Sequence, residues 1–431
     1  MIVNFNIKNF GSVKKQQTLS FEAEKTKHLE DFYISKIKNL RLLKIALIYG
    51  ANASGKTTIL KALDFLRELV IEPAEKKTEQ LDFKPFLFDK NTPKESTILS
   101  IDFIQNDIRY FYEVEFNQKA IVQEVLKFSN PNRATVFTRT TDLKNQFTEI
   151  KFGGKIKVEK TALKTLEANT LWNNTVLGGY LKTNVEIKEI KEVSDWFKDY
   201  LHRLIYPNSR LAMFITSLID QNKIKKENVL TILRKADLNI SDILIEKKEE
   251  DIPEGVLEFI EKLSDKPDEE LEKMKSKKKI TAVKLDLEHL INGNKYSLPF
   301  DLESQGTKRY YAFAGLLNLL IKGQNAFPID ELGASLHPDL YQHFLLSFLA
   351  NTKNSQIIAT THNREILNDK DLIRDDAIWI TDKSKDASTE LYSFADFDTS
   401  VIRDTTNRLN AYKSGKLGGT PNVGDYYLDL E

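Results

Sequence analysis

The sequence predicts an α/β fold, and three observations carry the prediction. The apolar run Ala46-Leu47-Ile48-Tyr49 ends in a glycine loop, after which Ile59, Leu63, Leu66 and Val70 recur on one helical face. Two later apolar runs end in polar groups, Phe327-Pro328-Ile329 in Asp330-Glu331 and Gln356-Ile357-Ile358-Ala359 in Thr360-Thr361-His362. Between the helical stripe and these runs, residues 98–128 alternate as strands about the turn Gln105-Asn106-Asp107, which reads as an antiparallel side sheet.

The elements follow in order. Ile2, Phe5 and Ile7 mark a first strand, Leu19 and Phe21 a second, and Lys44 to Tyr49 a buried third before the loop. Residues from about 156 to 279 turn Lys/Glu-rich and helical. Ile190, Val193, Phe197, Tyr200 and Leu204 recur at helical spacing, as do Leu211, Phe214, Ile215 and Leu218. Val229, Leu230, Ile232 and Leu233 begin a third helix, and Val256, Leu257, Ile260 and Leu263 a fourth. None sustains the heptads of a coiled coil. From Ile280 the pattern is β again, with Asn292-Gly293 as a hairpin turn.

Composition narrows the function classes. The 431 residues are 41% hydrophobic and 29% charged, within the range of globular proteins. The 63 basic and 63 acidic residues cancel, so any nucleic-acid site is a local patch. With no cysteine, disulfides and thiolate metal sites are excluded, which fits a reducing cytoplasm. No apolar run approaches the ~20 residues of a membrane span. The basic run at Lys273, Lys275, Lys277, Lys278 and Lys279 follows Asp268, Glu269, Glu270 and Glu272 and reads as a solvated helix end.

The chemistry lies in the loop and three later segments. Gly50 to Thr57 has the form G-x-x-x-x-G-K-T between a strand and a helix, the context of a phosphate-binding loop. The glycines let backbone N–H groups turn inward on an anion, and the helix dipole adds to the field. The expected nucleotide contacts are Gly50, Asn52, Ala53, Ser54, Gly55, Lys56, Thr57 and Thr58. Lys56 reaches the β- and γ-phosphates, and the Thr57 hydroxyl holds Mg²⁺. Ser304 and Gly306, in Ser304-Gln305-Gly306-Thr307 before an apolar helix, form a second anion-binding N-terminus or simply cap that helix. Asp330 is the expected Mg²⁺ carboxylate and Glu331 the general base for water. His362 contacts the γ-phosphate or positions water. His337 precedes Pro338, a residue suited to a first helical position.

This set resembles the ABC-type ATPase heads of the SMC, RecF and OLD proteins. The match runs from the Walker A loop at Gly50 to Thr57 through a signature at Ser304 to Thr307. It continues with Walker B at Asp330 and Glu331, a D-loop at Gly333 to His337 and a switch histidine at His362. Shorter motifs are similar to the stand-alone RloA/AbiL/AriA-like ATPases of bacterial anti-phage defence. They include Glu303-Ser304 to Thr307, Arg374-Asp375-Asp376, Trp379 to Lys383 and the tail Tyr412 to Pro421. Two departures stand out: Pro328 sits in a strand expected at the sheet centre, and no glutamine is assignable to the loop that couples Mg²⁺ in such heads, neither Gln80 nor Gln105.

The resemblance implies a P-loop NTPase of ABC/SMC-head type, with a mixed sheet, an antiparallel side sheet and a helical insertion. Residues 1–155 would form its N-terminal lobe, 156–279 the insertion and 280–431 the C-terminal lobe. It further implies ATP and Mg²⁺ as cofactors and ATP hydrolysis, in a homodimer or higher homo-oligomer closed by Ser304 and Gly306 of a second chain. The expected role is a cytoplasmic sensor or scaffold in abortive infection. Its partners would be a separately encoded, nuclease-like effector and a DNA or phage-derived trigger. The alternative is a RecF/SMC-like DNA-maintenance ATPase.

Overall fold

The computed structural model describes residues 1–251, 279–397 and 408–421. In chain order its first ten strands are β1 Ile2–Lys8, β2 Gln17–Ser20, β3 Ile34–Ile37, β4 Leu40–Leu43, β5 Ile45–Gly50, β6 Thr97–Gln105, β7 Ile108–Phe116, β8 Ile121–Ser129, β9 Arg133–Asp142 and β10 Phe147–Phe152. Then come β11 Ile240–Asp251, β12 Lys279–Ile291, β13 Asn294–Pro299, β14 Ala326–Ile329, β15 Gln356–Thr360, β16 Ile378–Lys383 and β17 Thr389–Ser393. The described residues divide into two compact units. The first holds Met1–Ser209, Leu320–Ala334 and those from Leu345 on, and the second holds Ser335–Phe344 with those of Arg210–Leu319. These divisions do not fall at 155 and 279. The helices Lys160–Asn169, Val176–Tyr180 and Lys188–Asp195 lie in the first unit.

Two sheets organise the first unit. One has seven antiparallel strands in the order β10-β9-β8-β7-β6-β1-β2. It includes the expected side sheet, with Gln105 facing Ile108 across Asn106 and Asp107, both at positive φ. The other is β14-β15-β5-β16-β17, parallel from β14 to β16 and closed by antiparallel β17. Its centre, β5, is buried at every residue, as a strand covered on both faces must be. The helix Lys56–Ile71 follows β5 and buries Ile59, Leu63, Leu66 and Val70, the expected stripe.

Pro328 is accommodated because β14 is not central. On its far side it meets only isolated bridges, Leu201 to Ala326 and Ile205 to Ile329. His202 and Ile205 donate to the carbonyls of Ala326 and Pro328, and Asp330 donates to Ile205 O. The proline's missing N–H therefore falls on the side with no continuous ladder.

A buried polar network ties the side sheet to the chain beyond it. Glu124 accepts from Tyr112 Oη at 2.8 Å and from Val176 N at 2.7 Å. Arg139, fully buried, donates to Ile121 O, Thr148 Oγ1 and Trp172 O. In Arg374-Asp375-Asp376 the arginine and Asp376 form a buried ion pair, and Asp376 also accepts from Glu24 N.

The second unit contains a three-stranded antiparallel sheet, β11-β12-β13, and the helices Leu211–Asp220 and Lys226–Lys235. Strand β11 departs from the helical expectation for 156–279. Its Lys/Glu-rich composition suits a helix, but eleven residues of register with β12 satisfy its backbone instead. Asn292 and Gly293, both at positive φ, make the expected hairpin turn to β13. Phe214, expected on a buried face, is 50% exposed, while Leu211 and Ile215 are buried. The fourth expected helix and Lys273 to Lys278 lie outside the described residues. Among the described residues no helix is long and apolar enough to cross a membrane.

Burial pushes the Glu124 carboxyl up to about 7, although Arg139 and its hydrogen bonds act in the opposite direction. The folded state then holds this proton more tightly than the unfolded chain. Its stabilising effect is complete below pH 4.5 and is lost as pH rises to about 7. Urea denaturation of wild type and Glu124→Gln should show wild type losing stability relative to the variant between pH 5 and 8; a gap independent of pH would contradict this.

Candidate nucleotide site

The loop after β5 is shaped by what surrounds it. A Cβ on Gly50 would stand 2.6 Å from Thr381 O and 2.5 Å from Ser54 Oγ. Gly55 has φ 104°, and a Cβ there would strike Thr389 and Ser12, so both positions admit only glycine. Ala53 lies between them at φ 62°. A hydroxyl set braces this backbone from outside. Ser54 Oγ is 2.6 Å from Thr381 Oγ1, and Thr389 Oγ1 donates to Ser54 O at 2.9 Å. Ser12 Oγ reaches Thr58 Oγ1 at 3.1 Å and Thr389 Oγ1 at 2.7 Å. The tail packs on the same end of β5, with Tyr412 edge-on to Tyr49 and its hydroxyl donating to Gly419 O at 2.9 Å.

Lys56 is buried, and its Nζ donates to Gly50 O and Ala51 O at 2.9 Å each. Burial lowers its pKa, opposed by Asp330 and Glu331. Asp330, at the tip of β14, is buried and accepts from Thr57 Oγ1 at 3.0 Å and Thr360 Oγ1 at 2.6 Å. Thr360 Oγ1 in turn accepts from Glu331 N at 2.8 Å. Glu331 has φ 51°, a conformation a β-carbon disfavours, and its side chain is exposed. His362 lies just past β15. Desolvation and the Lys56 charge hold its pKa below the ordinary value, against Glu331 and Asp330.

Thus Lys56, Thr57, Asp330, Glu331 and His362 stand in one unit, around the adjacent ends of β5, β14 and β15. Ser304 and Gly306 stand in the other unit. There Ser304 Oγ accepts from Thr307 N at 3.0 Å and caps the helix Gln305–Lys322, whose Phe313, Leu316 and Leu317 are buried. A Cβ on Gly306 would meet Ser335 O at 3.4 Å. His337 caps the helix Pro338–Asn351, its Nδ1 accepting from Asp339 N at 3.3 Å.

The donor set suits a hard divalent cation. One hydroxyl and one carboxylate converge, and Mg²⁺ takes few protein oxygens when phosphates and water supply the rest. Among the described residues no cluster of three or more His, Asp or Glu side chains forms a metal site of its own.

Thr360, Thr389 and Ser12 belong to no motif, because each acts through a single hydroxyl, and nothing in the stretch Trp379 to Lys383 singles out Thr381. Thr360 has one usable signal in the sequence, its place at a strand end just before His362. Tyr206 has none. Burial and the carboxylates of Asp64 and Asp330 raise its phenol, and it adjoins Ile205, the backbone partner of Asp330.

A central parallel strand, a glycine loop opening a helix, and a carboxylate on a neighbouring strand hydrogen-bonded to the loop threonine define a P-loop nucleotide-binding protein. The chain belongs to the family described as "AAA domain, putative AbiEii toxin, Type IV TA system", whose model matches residues 45–368. No curated protein matches it. Among solved structures it is similar to "the SmcHead bound to the C-winged helix domain of ScpA", at 14% identity and TM-score 0.47, over 91% of this chain and 97% of that one. It is also similar to the SMC head domain from Thermotoga maritima, at 13% identity and TM-score 0.41, over 91% and 98%. A third is the Smc head domain with an extended coiled coil bound to the C-terminal domain of ScpA derived from Pyrococcus furiosus. It matches at 13% identity and TM-score 0.42, over 91% and 96%.

Thr360→Val keeps the shape of the side chain while leaving Glu331 N–H without its acceptor and Asp330 without one donor. The expected cost is about 1–3 kcal/mol, measured by chemical denaturation; a change below about 0.5 kcal/mol would show that Thr360 does not hold this corner.

Proposed function

We propose that this protein binds and hydrolyses ATP, dimerises around it, and serves as the sensor or scaffold ATPase of a bacterial anti-phage, abortive-infection system that controls a separately encoded effector. The observation that carries the nucleotide chemistry is the Thr57–Asp330–Thr360 link beside Lys56. The family description, with its toxin of a toxin–antitoxin system, supports the defence role.

In this reading the loop N–H groups and Lys56 bind the phosphates, and Thr57 and Asp330 hold Mg²⁺. When bound, that ion would neutralise charge on the β- and γ-phosphate oxygens. Glu331 takes the proton of the attacking water, and His362, kept largely neutral above its lowered pKa, orients that water or the γ-phosphate. Ser304 and Gly306 of a second chain donate to the same γ-phosphate. Closure then follows from differential affinity, because only the triphosphate offers the group both chains contact. The RecF/SMC-like alternative predicts ATP-dependent DNA binding, which a filter-binding assay with and without ATP distinguishes.

Hydrolysis should be slow and should vanish in Lys56→Ala, read as phosphate release. Glu331→Gln should run as a dimer on gel filtration with ATP; an unchanged monomer would defeat the sandwich reading. Ser304→Arg should bind ATP yet fail to hydrolyse it, and full turnover in that variant would remove Ser304 from the site.

A further inference from the structure

Glu303, one residue before Ser304, is an unusual neighbour for an anion-binding helix start. It is 8% exposed, and a buried carboxylate is costly unless it is paired. Its partner is His289 of β12, whose Nε2 lies 2.6 Å from Glu303 Oε1. The other flank of the turn is held differently. Glu303 N donates to Phe300 O at 3.1 Å, Lys308 Nζ donates to Asp301 O at 2.8 Å, and Phe300 packs edge-on to Tyr311. Ser304 itself is exposed, with its hydroxyl on the helix cap. The exposed serine is therefore carried by a turn whose buried carboxylate is fastened to β12, the neighbour of the strand that leads into that turn.

We propose that His289 is a positioning residue for the nucleotide site. Through Glu303 it sets the direction in which Ser304 and the first turn of the Gln305–Lys322 helix face a nucleotide bound by a second copy of this chain. The proposal rests on the composite-site reading above. An imidazole suits the position because it can donate to the carboxylate whether neutral or protonated. An alkyl side chain there leaves the carboxylate buried and unpaired. Relaxation of that carboxylate toward solvent turns Ser304 away, because the two residues share a peptide unit.

The test separates a positioning role from a merely structural one. His289→Ala should keep its own affinity for ATP within about twofold, because Lys56 and its loop are intact, while kcat falls at least tenfold. His289→Gln, which retains a donor, should recover most of that loss. Mixing His289→Ala with Lys56→Ala should restore hydrolysis, since one hybrid site then combines an intact loop with an intact Ser304 surface; mixing His289→Ala with Ser304→Arg should not. Wild-type kcat in His289→Ala, or no recovery on mixing with Lys56→Ala, would overturn the proposal. The composite reading is judged apart from it by mixing Lys56→Ala with Ser304→Arg. Recovery there alongside failure for His289→Ala sinks only the His289 role, and failure of both mixtures sinks the shared site.

Discussion

Thr360 Oγ1, placed between the Asp330 carboxylate and the Glu331 amide, is the interaction on which the site depends. It works because β15 lies between β14 and β5 in one parallel sheet. The carboxylate strand and the loop strand are thereby two positions apart, and the hydroxyl at the tip of the middle strand closes the gap. Thr57 completes the link from the loop side. Once these hydroxyls converge, Asp330 has no freedom to follow solvent, and Glu331 is left in a left-handed conformation with its side chain exposed. The strain at Glu331 is tolerated because its N–H is satisfied where it stands.

The same logic governs the loop. Glycine at 50 and 55 is required by the approach of Thr381, Thr389 and Ser12, which come from β16, β17 and the turn after β1. The loop is thus held from its outer side by three elements far apart in the chain. Within the loop, Ser54 N donates to Ala51 O, and Lys56 rests on the loop's own carbonyls. In the proposed reading this is preorganisation, in that little conformational entropy remains to be lost on binding phosphate.

The second unit holds an exposed serine at a helix start. A capped helix start on one side and the pairing of His289 with the buried Glu303 on the other hold it. The hairpin β12–β13 that carries His289 owes its register to the Asn292-Gly293 turn. A local sequence signal thereby sets where the Glu303 carboxylate, just beyond the hairpin, is anchored.

Much of this is legible in the chain. The loop, the helix stripe behind it, Asp330, the side sheet and the Asn292-Gly293 turn follow from local spacing, because each depends on residues within one or two turns or strands. Where local pattern misleads, neighbours decide. β11 reads as helical by composition and becomes a strand because β12 offers it a ladder. Pro328 looks misplaced until β14 proves to lie at the sheet edge, beside a stretch with only isolated bridges. Ser12, Thr360 and Thr389 carry no motif, since a single hydroxyl has no periodicity to betray it. By itself, then, the sequence determined the glycine loop after β5 and the carboxylate at the end of β14. Only the tertiary structure decided which hydroxyls hold them and which histidine fastens Glu303, because those partners meet through sheet order rather than through nearness in the chain.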